Sequence, residues 1–318
     1  MITNHQTLAS ILRQKNPDWS WNQCRKLIHG RRVTVNGLVT VDDVARVPLD
    51  ADVNILSAPQ SLKKTDSLNV TDDKMHVYYL DQHVIVLEKP TDIETVPFTT
   101  KKFADRGEGK LPNETLIDRA RRWIEKTEAR KIPPLRTVHR LDKGTSGVMV
   151  FARTVAAERH LGDLFRRHDI TRSYMAYCLG KPSDATITSR LVENRGDGRR
   201  GSTANPKLGK EAITNMKLLE SRHTKNGQIV SMIQCRLKTG RTHQIRIHLA
   251  ESGHPLTGES VYRSTVAFGP EIMDHSGAPR IGLHAHELGF THPVTGTLMH
   301  WQSSVPNDLN DWWQSLRS

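Results

Sequence analysis

The chain reads as an α+β protein: a large domain on a mostly antiparallel mixed sheet, preceded by a small N-terminal α/β domain. Three observations predict this. After residue 75, short apolar strands and amphipathic helices follow one another without the regular strand–helix–strand rhythm of a parallel sheet. Residues 1–56 carry two short helical patterns and a hairpin pattern, and a polar stretch at 57–74 separates them from the rest. The domains are therefore placed at 1–56 and 75–318, with 57–74 as linker.

In TLASILRQK, residues 7–15, Leu8, Ile11 and Leu12 share one helical face, and Trp21 to His29 repeats the pattern with Cys24, Leu27 and Ile28. Val33 and Val35 alternate with polar residues, Asn36-Gly37 makes the turn, and Val39 and Val41 form the returning arm of a hairpin. A last strand is expected at Val53 to Leu56. The stretch SAPQSLKKTDSLNVTDDK is rich in Ser, Asp and Lys and has no apolar period, which marks a linker.

HVYYLDQHVIVLEKP supplies two strands joined around Asp81-Gln82. Asn113 is placed to cap a helix whose Leu116, Ala120, Trp123 and Ile124 form the buried stripe. Its Arg119, Arg121, Arg122 and Lys126 suit either phosphate contacts or an ordinary solvated face. VMVFAR, YMAYCLG, AITNMKLLE and VSMIQCRLKTG read as strands, and AAERHLGDLFRRH as a helix among them. The Gly-rich basic stretch at 194–210 suggests an exposed loop, facing a polyanion or merely flexible.

A formal net charge of +12 and a pI near 9.8 favour a polyanionic partner, nucleic acid first. Aromatic residues make up only 5% of the chain, against a broad stacking platform for single strands. Cys24, Cys178 and Cys235 are odd in number and scattered, so they build neither a disulfide framework nor a metal knuckle, and a reducing cytosol fits them. No stretch approaches the roughly 18 apolar residues of a membrane span, and a soluble, cytoplasmic protein is expected. His284 and His286 form an HxH pair that reads as strand-face or capping histidines rather than metal ligands.

Two segments carry the chemistry. In RTVHRLDKGTSGVMVFAR, residues 136–153, a polar cluster around Asp142 immediately precedes an apolar strand, and Gly144 and Gly147 permit a tight path. A carboxylate there is either a rigidly mounted reactive group or one member of a structural ion pair. In LKTGRTHQIRIHLAESGHPLTG, residues 237–258, a strand ends at Gly240, Thr242 caps a helix and Gly253 ends it. That places Arg246 one turn inside, with Ile245 and Leu249 toward the core. The guanidinium suits a reactive site, a phosphate contact or a helix salt bridge.

These segments resemble the RluA-type family of pseudouridine synthases: HRLD followed by TSG and an apolar strand, then GRTHQIR about a hundred residues later. TRSYMAYCLG at 171–180, GLHAHELGFTHPVTG at 282–296, IVLEKP at 85–90 and GKEAITNMKLL at 209–219 extend the resemblance over nearly all of residues 75–310. The first 56 residues are similar to the S-four-type RNA-binding module that precedes the catalytic domain in many large-subunit ribosomal RNA members. There Arg25, Lys26, Arg31 and Arg32 would meet RNA backbone. Seven Lys or Arg face five Asp or Glu in residues 1–56, so the positive charge is clustered rather than high overall.

The resemblance implies that the bond from ribose carbon 1′ to uracil nitrogen 1 is broken and carbon 1′ is joined to carbon 5. It implies no redox cofactor and no metal. Asp142 would be the essential carboxylate, as nucleophile or by labilising the glycosidic bond. Arg246 would pair with it, since a guanidinium favours a carboxylate anion and fixes its direction. Tyr174 would pack on the target base and assist removal of the carbon 5 proton, and Arg140 and Arg241 would contact phosphate or neighbouring site residues. The uridine must be extruded from its stack, and RNA binding should be strongly salt-sensitive. Large-subunit ribosomal RNA is the expected substrate, acted on by a monomer; transfer RNA, or a non-catalytic role in ribosome assembly, are the alternatives. Two departures from the family pattern, TDIETVPF after Lys89-Pro90 and Glu259 where an Asp is more usual, lie outside the HRLD and HQIR motifs and so bear on substrate contacts more than on catalysis.

Overall fold

A computed structural model describes residues 5–30, 32–40, 43, 46–58, 70–72, 75–97 and 114–317. The N-terminal part runs β1 (His5–Thr7), α1 (Leu8–Lys15), α2 (Trp21–His29), β2 (Val33–Val35), β3 (Leu38–Val39), β4 (Arg46–Pro48) and β5 (Val53–Ile55). Thr7 starts α1 by accepting from Ser10 N, and Ser20 and Gln23 close a reciprocal capping box on α2. Asn36 and Gly37 are both left-handed, which matches the twist of the β2–β3 hairpin. Leu8, Ile11, Leu12, Cys24, Ile28 and Val33 bury into one core drawn from this segment alone. The pairing of β1 with β4 was not expected, because three-residue strands are too short to show a period. Val41 lies outside the described residues.

The remaining chain forms β6 (Val70–Asp72), β7 (Met75–Leu80), β8 (Val84–Lys89), α3 (Leu116–Thr127), β9 (Arg136–Thr137), β10 (Ser146–Ala152), α4 (Val155–Arg167) and β11 (Thr171–Leu179). It continues with β12 (Ala185–Val192), β13 (Gly201–Ser202), β14 (Lys210–His223), β15 (Ile229–Leu237), α5 (Gln244–Glu251), β16 (Leu283–Thr291), β17 (Leu298–Gln302) and α6 (Asn307–Gln314). The strands join in one sheet ordered β13-β12-β14-β15-β11-β16-β10-β8-β7-β6, with β17 on β16 and β9 on β10. Among the described residues only β10 and β16 pair in parallel.

Both faces of the β8–β10 region are covered, and the two strands show why they read as unbroken apolar runs. Ile85, Leu87, Met149 and Phe151 pack with Leu116, Ala120, Trp123 and Ile124 of α3. Their neighbours Val84, Val86, Val148 and Val150 pack with Ala157 and Leu161 of α4 on the other side. Each buried Val, Leu, Ile, Met or Phe among them stabilises the fold by on the order of 2 kcal/mol. Farther along the sheet, Ile245 and Leu249 of α5 bury against Ala176, Cys178, Ile233 and Cys235, as their spacing predicts.

Several expectations are corrected. Val70–Asp72, inside the expected linker, is a strand paired with β7: backbone pairing needs no apolar period. Residues 59–69 of that linker lie outside the described residues, as does Asn113. The cap of α3 is Thr115, whose hydroxyl and backbone N–H both meet the Asp118 carboxylate. On the surface of α3, Arg119 and Arg122 pair with Glu114, and Arg121 with Glu125. The 194–210 stretch is largely exposed, as expected, but Arg195 within it is turned inward: its side chain is 5% exposed and meets Asp197 and Glu251.

Candidate active site

Asp142 lies in the turn ahead of β10, and that turn is anchored from below. Lys89, at the end of β8, is fully buried, and its Nζ donates to the carbonyls of Pro90, Lys143 and Thr145 at 3.0, 2.9 and 2.8 Å. Burial pushes its pKa down to about 7, while three carbonyls meet all the protons of an ammonium. The buried Thr95 hydroxyl donates to Leu141 O, and Thr145 N closes the turn onto Asp142 O. Gly147 has φ near +124°, and a Cβ there would run into the Ala285 carbonyl of β16. The glycine thus permits the parallel junction beside the turn.

α5 starts differently from the expectation. His243, not Thr242, is the N-cap; it is left-handed and caps with no side-chain hydrogen bond. The buried Gln244 amide ties the entry instead, accepting from Thr239 Oγ1 and Arg241 N and donating to Ile213 O and Thr214 Oγ1. Arg246 is therefore the third residue of α5, within its first turn.

The two segments meet. Arg246 Nη1 donates to Asp142 Oδ2 at 3.2 Å, and the carboxylate side chain keeps 20% of its surface exposed. The other two donors go elsewhere: Nε and Nη2 reach Glu259 Oε2 and Oε1 at 2.7 and 2.8 Å. Glu259 is buried and also accepts from Val261 N and Tyr262 N. Burial works against both charges. The Glu259 hydrogen bonds and charge nevertheless raise the Arg246 pKa, and Arg246 lowers that of Glu259. Tyr262 lies beside the guanidinium, 5.2 Å from ring centroid to Cζ, and its hydroxyl is 2.7 Å from His243 Nδ1. His243 Nε2 faces Asp142 Oδ1 at 3.6 Å, and burial pulls the His243 pKa down.

Asp142 opens onto a cleft of about 560 Å³ with Arg140, Arg246 and Glu259 in its walls. It also borders a small cavity of about 60 Å³ with Tyr174, and a larger one of about 830 Å³ that includes Arg140, Tyr174 and Arg241. The Tyr174 pKa is raised by burial, so the phenol stays protonated at neutral pH. Arg140 is exposed, and Arg241 Nε donates to Glu211 O. The structure thus brings together Asp142, Tyr174, Arg246, Arg140 and Arg241.

The remaining basic positions named from the sequence lie in the N-terminal part. Arg25 pairs with Asp43 at 2.9 Å, Lys26 is exposed, and Arg32 Nε donates to Leu56 O. Arg31 is outside the described residues. Glu259, His243 and Tyr262 were not singled out as site residues. His243 sits inside GRTHQIR, so a signal was present; Glu259 and Tyr262 acquire their place only through the fold. The sequence difference at Glu259 bears directly on Arg246, contrary to the expectation that it concerned substrate contacts. His284 and His286 bond to Ser146 and Ser303, and among the described residues no His, Cys, Asp and Glu cluster is arranged to hold a metal. No helix among them is long and apolar enough to cross a membrane.

The RNA pseudouridylate synthase family model matches residues 83–251, which contain Asp142, Tyr174 and Arg246. Ribosomal large subunit pseudouridine synthase D of Escherichia coli is 29% identical, over 98% of this chain and 91% of its own length. The protein of that name from Vibrio parahaemolyticus is 30% identical over the same shares. Two solved structures share the fold: human RNA pseudouridylate synthase domain containing 4 (TM-score 0.58, 20% identity, 76% of this chain and 94% of that one) and domain containing 1 (0.56, 22%, 76% and 88%). With the family matched over more than half of its length and a relative at 30% identity along nearly all of it, the chain belongs to the RNA pseudouridylate synthase family.

Proposed function

We propose that this pseudouridine synthase isomerises specific uridines of large-subunit ribosomal RNA, with Asp142 as the carboxylate that acts on the nucleoside. The observation that carries the reading is the 3.2 Å contact between Arg246 Nη1 and an Asp142 carboxylate that stays open to a cleft. Arg246 is itself braced by Glu259, so the carboxylate is oriented before substrate arrives. In the reaction the carbon 1′–nitrogen 1 bond breaks and a carbon 1′–carbon 5 bond forms. Carbon 5 loses a proton and nitrogen 1 gains one, so the product is an isomer. Tyr174 offers its ring as a wall for the extruded base, and its buried phenol is a poor base at neutral pH. Arg140 and Arg241 are proposed to contact the RNA strand at the mouth.

Support for ribosomal RNA comes from relatives named for the large subunit that align along 91% of their length, N-terminal part included. We take residues 1–56 as an RNA-binding unit, 57–74 as its connection and 75–318 as the catalytic unit, working as a monomer in the cytoplasm.

The test uses transcripts of large-subunit ribosomal RNA and of transfer RNA carrying tritium at uridine carbon 5. The expected result is tritium release from the ribosomal transcript by the wild type, and a loss of more than ~10³-fold in Asp142→Ala. Release from transfer RNA alone would overturn the substrate reading, and unchanged release by Asp142→Ala would overturn the assignment of Asp142.

A further inference from the structure

The larger cavity beside Tyr174 is lined by a cation that pairs with no carboxylate among the described residues. Arg172, on β11, is 9% exposed, and its Nε and Nη2 have no hydrogen-bond partner among the described residues. No carboxylate among those residues pairs with it. Its guanidinium lies over the Phe165 ring, 5.4 Å from the centroid, and His139 stacks on the same ring at 4.7 Å. His139 cannot supply an anion. Its pKa is pushed down to about 3 by burial and then by Arg172, and its Nε2 accepts from Val150 N at 3.1 Å. The backbone leaves the guanidinium room, since a Cβ at Gly240 would run into Arg172 Nη1. Arg140, Arg166 and Arg241 line the same cavity, with Asp142 as its carboxylate.

Arg172 Nε and Nη2 are enclosed, so a phosphate oxygen would be met by Nη1, the guanidinium nitrogen that is not enclosed, in a charge-assisted hydrogen bond. Tyr174 is two residues farther along the same strand, roughly 6–7 Å away. That separation suits a nucleotide whose base rests at the tyrosine while its backbone passes the arginine. We infer that Arg172 is the binding residue for an RNA phosphodiester next to the extruded uridine. The inference rests on the reading of the chain as an RNA-modifying enzyme, and the aromatic face of Phe165 holds the guanidinium ready for the strand.

The experiment compares wild type, Arg172→Gln and Arg172→Lys as full chains on a tritiated large-subunit ribosomal RNA transcript between 50 and 300 mM KCl. Arg172→Gln is expected to raise KM roughly tenfold and to lower the slope of log KM against log salt by about one phosphate contact. Arg172→Lys should restore most of the slope without restoring KM. Phosphate-ethylation interference is read alongside: wild-type binding should be blocked by ethylation at a phosphate flanking the modified uridine, and that one interference should vanish in Arg172→Gln. If Arg172→Gln does not fold, Arg172→Lys carries the same comparison, with the interference at that phosphate reduced. A wild-type salt slope and interference pattern in the variants would overturn the inference, as would a loss confined to kcat or to the unfolding midpoint. A wild type that binds the transcript but releases no tritium from it would count against the substrate reading instead, because the interference comparison needs only binding.

Discussion

Glu259 takes two of the three donor nitrogens of Arg246 in a bidentate pair, at 2.7 and 2.8 Å, leaving Nη1 for Asp142 at 3.2 Å. The carboxylate at the cleft is thus aimed by a guanidinium that is aimed by a second, buried carboxylate. Since the Glu259 side chain is 1% exposed and Arg246 12%, solvent screens this brace little.

Removing the brace should cost both stability and rate. Glu259→Ala leaves a largely buried guanidinium with Asp142 as its remaining carboxylate partner, an expected loss of about 3 kcal/mol in unfolding free energy. Glu259→Asp keeps the charge and shortens its reach, so its loss should fall mainly on kcat. Urea unfolding and single-turnover tritium release check the two; a Glu259→Ala protein with wild-type stability and rate would show the brace to be idle.

Lys89 acts on Asp142 from the other side. Lys89→Met fills the same space but leaves three carbonyls without their donor, at about 1–3 kcal/mol for each that water cannot reach. The turn 141–145 should loosen, with kcat falling more than RNA affinity. Hydrogen exchange at Thr145 N, which closes the turn, reports this directly.

Acid sensitivity follows from two buried histidines. Burial holds His248 and His284 at pKa values of about 4, below the usual 6.5. Their neutral forms fit their bonds: Ser146 Oγ is 2.9 Å from His284 Nδ1, with Ser303 O at Nε2, and His248 lies between Thr214 and Ser189. The unfolded chain binds the extra protons first as pH falls. The stability they contribute is complete above pH 6.5 and is lost progressively from there toward about 4. Each shift corresponds to on the order of 3 kcal/mol. The urea midpoint should therefore fall over this window, and a flat profile would contradict the buried neutral forms.

In the N-terminal part, the effects of Arg25 and Lys26 on RNA binding should differ. Arg25 is already paired with Asp43, whereas Lys26 is exposed on α2. Lys26→Ala should weaken binding to the ribosomal transcript and lower its salt slope by about one contact; Arg25→Ala should do less. Filter binding at several salt concentrations tests the order.

The amino-acid order alone determined the main features written in neighbouring residues, though not the exact caps of α3 and α5. The stripes of α1, α2 and α3, the Asn36-Gly37 hairpin and the apolar runs of β8 and β10 are local patterns, and local sterics and burial suffice to produce them. Asp142, Tyr174 and Arg246, the residues proposed for the reaction, stand in motifs long enough to pick them out. Tertiary structure alone decided what joins distant stretches: Glu259 on Arg246, Lys89 beneath the Asp142 turn, Arg172 over Phe165, and the strand pairings of Val70–Asp72 and His5–Thr7. A hydrogen bond between residues far apart in the chain leaves no period or spacing to read. It exists only once sheet and helices have brought donor and acceptor within about 3 Å.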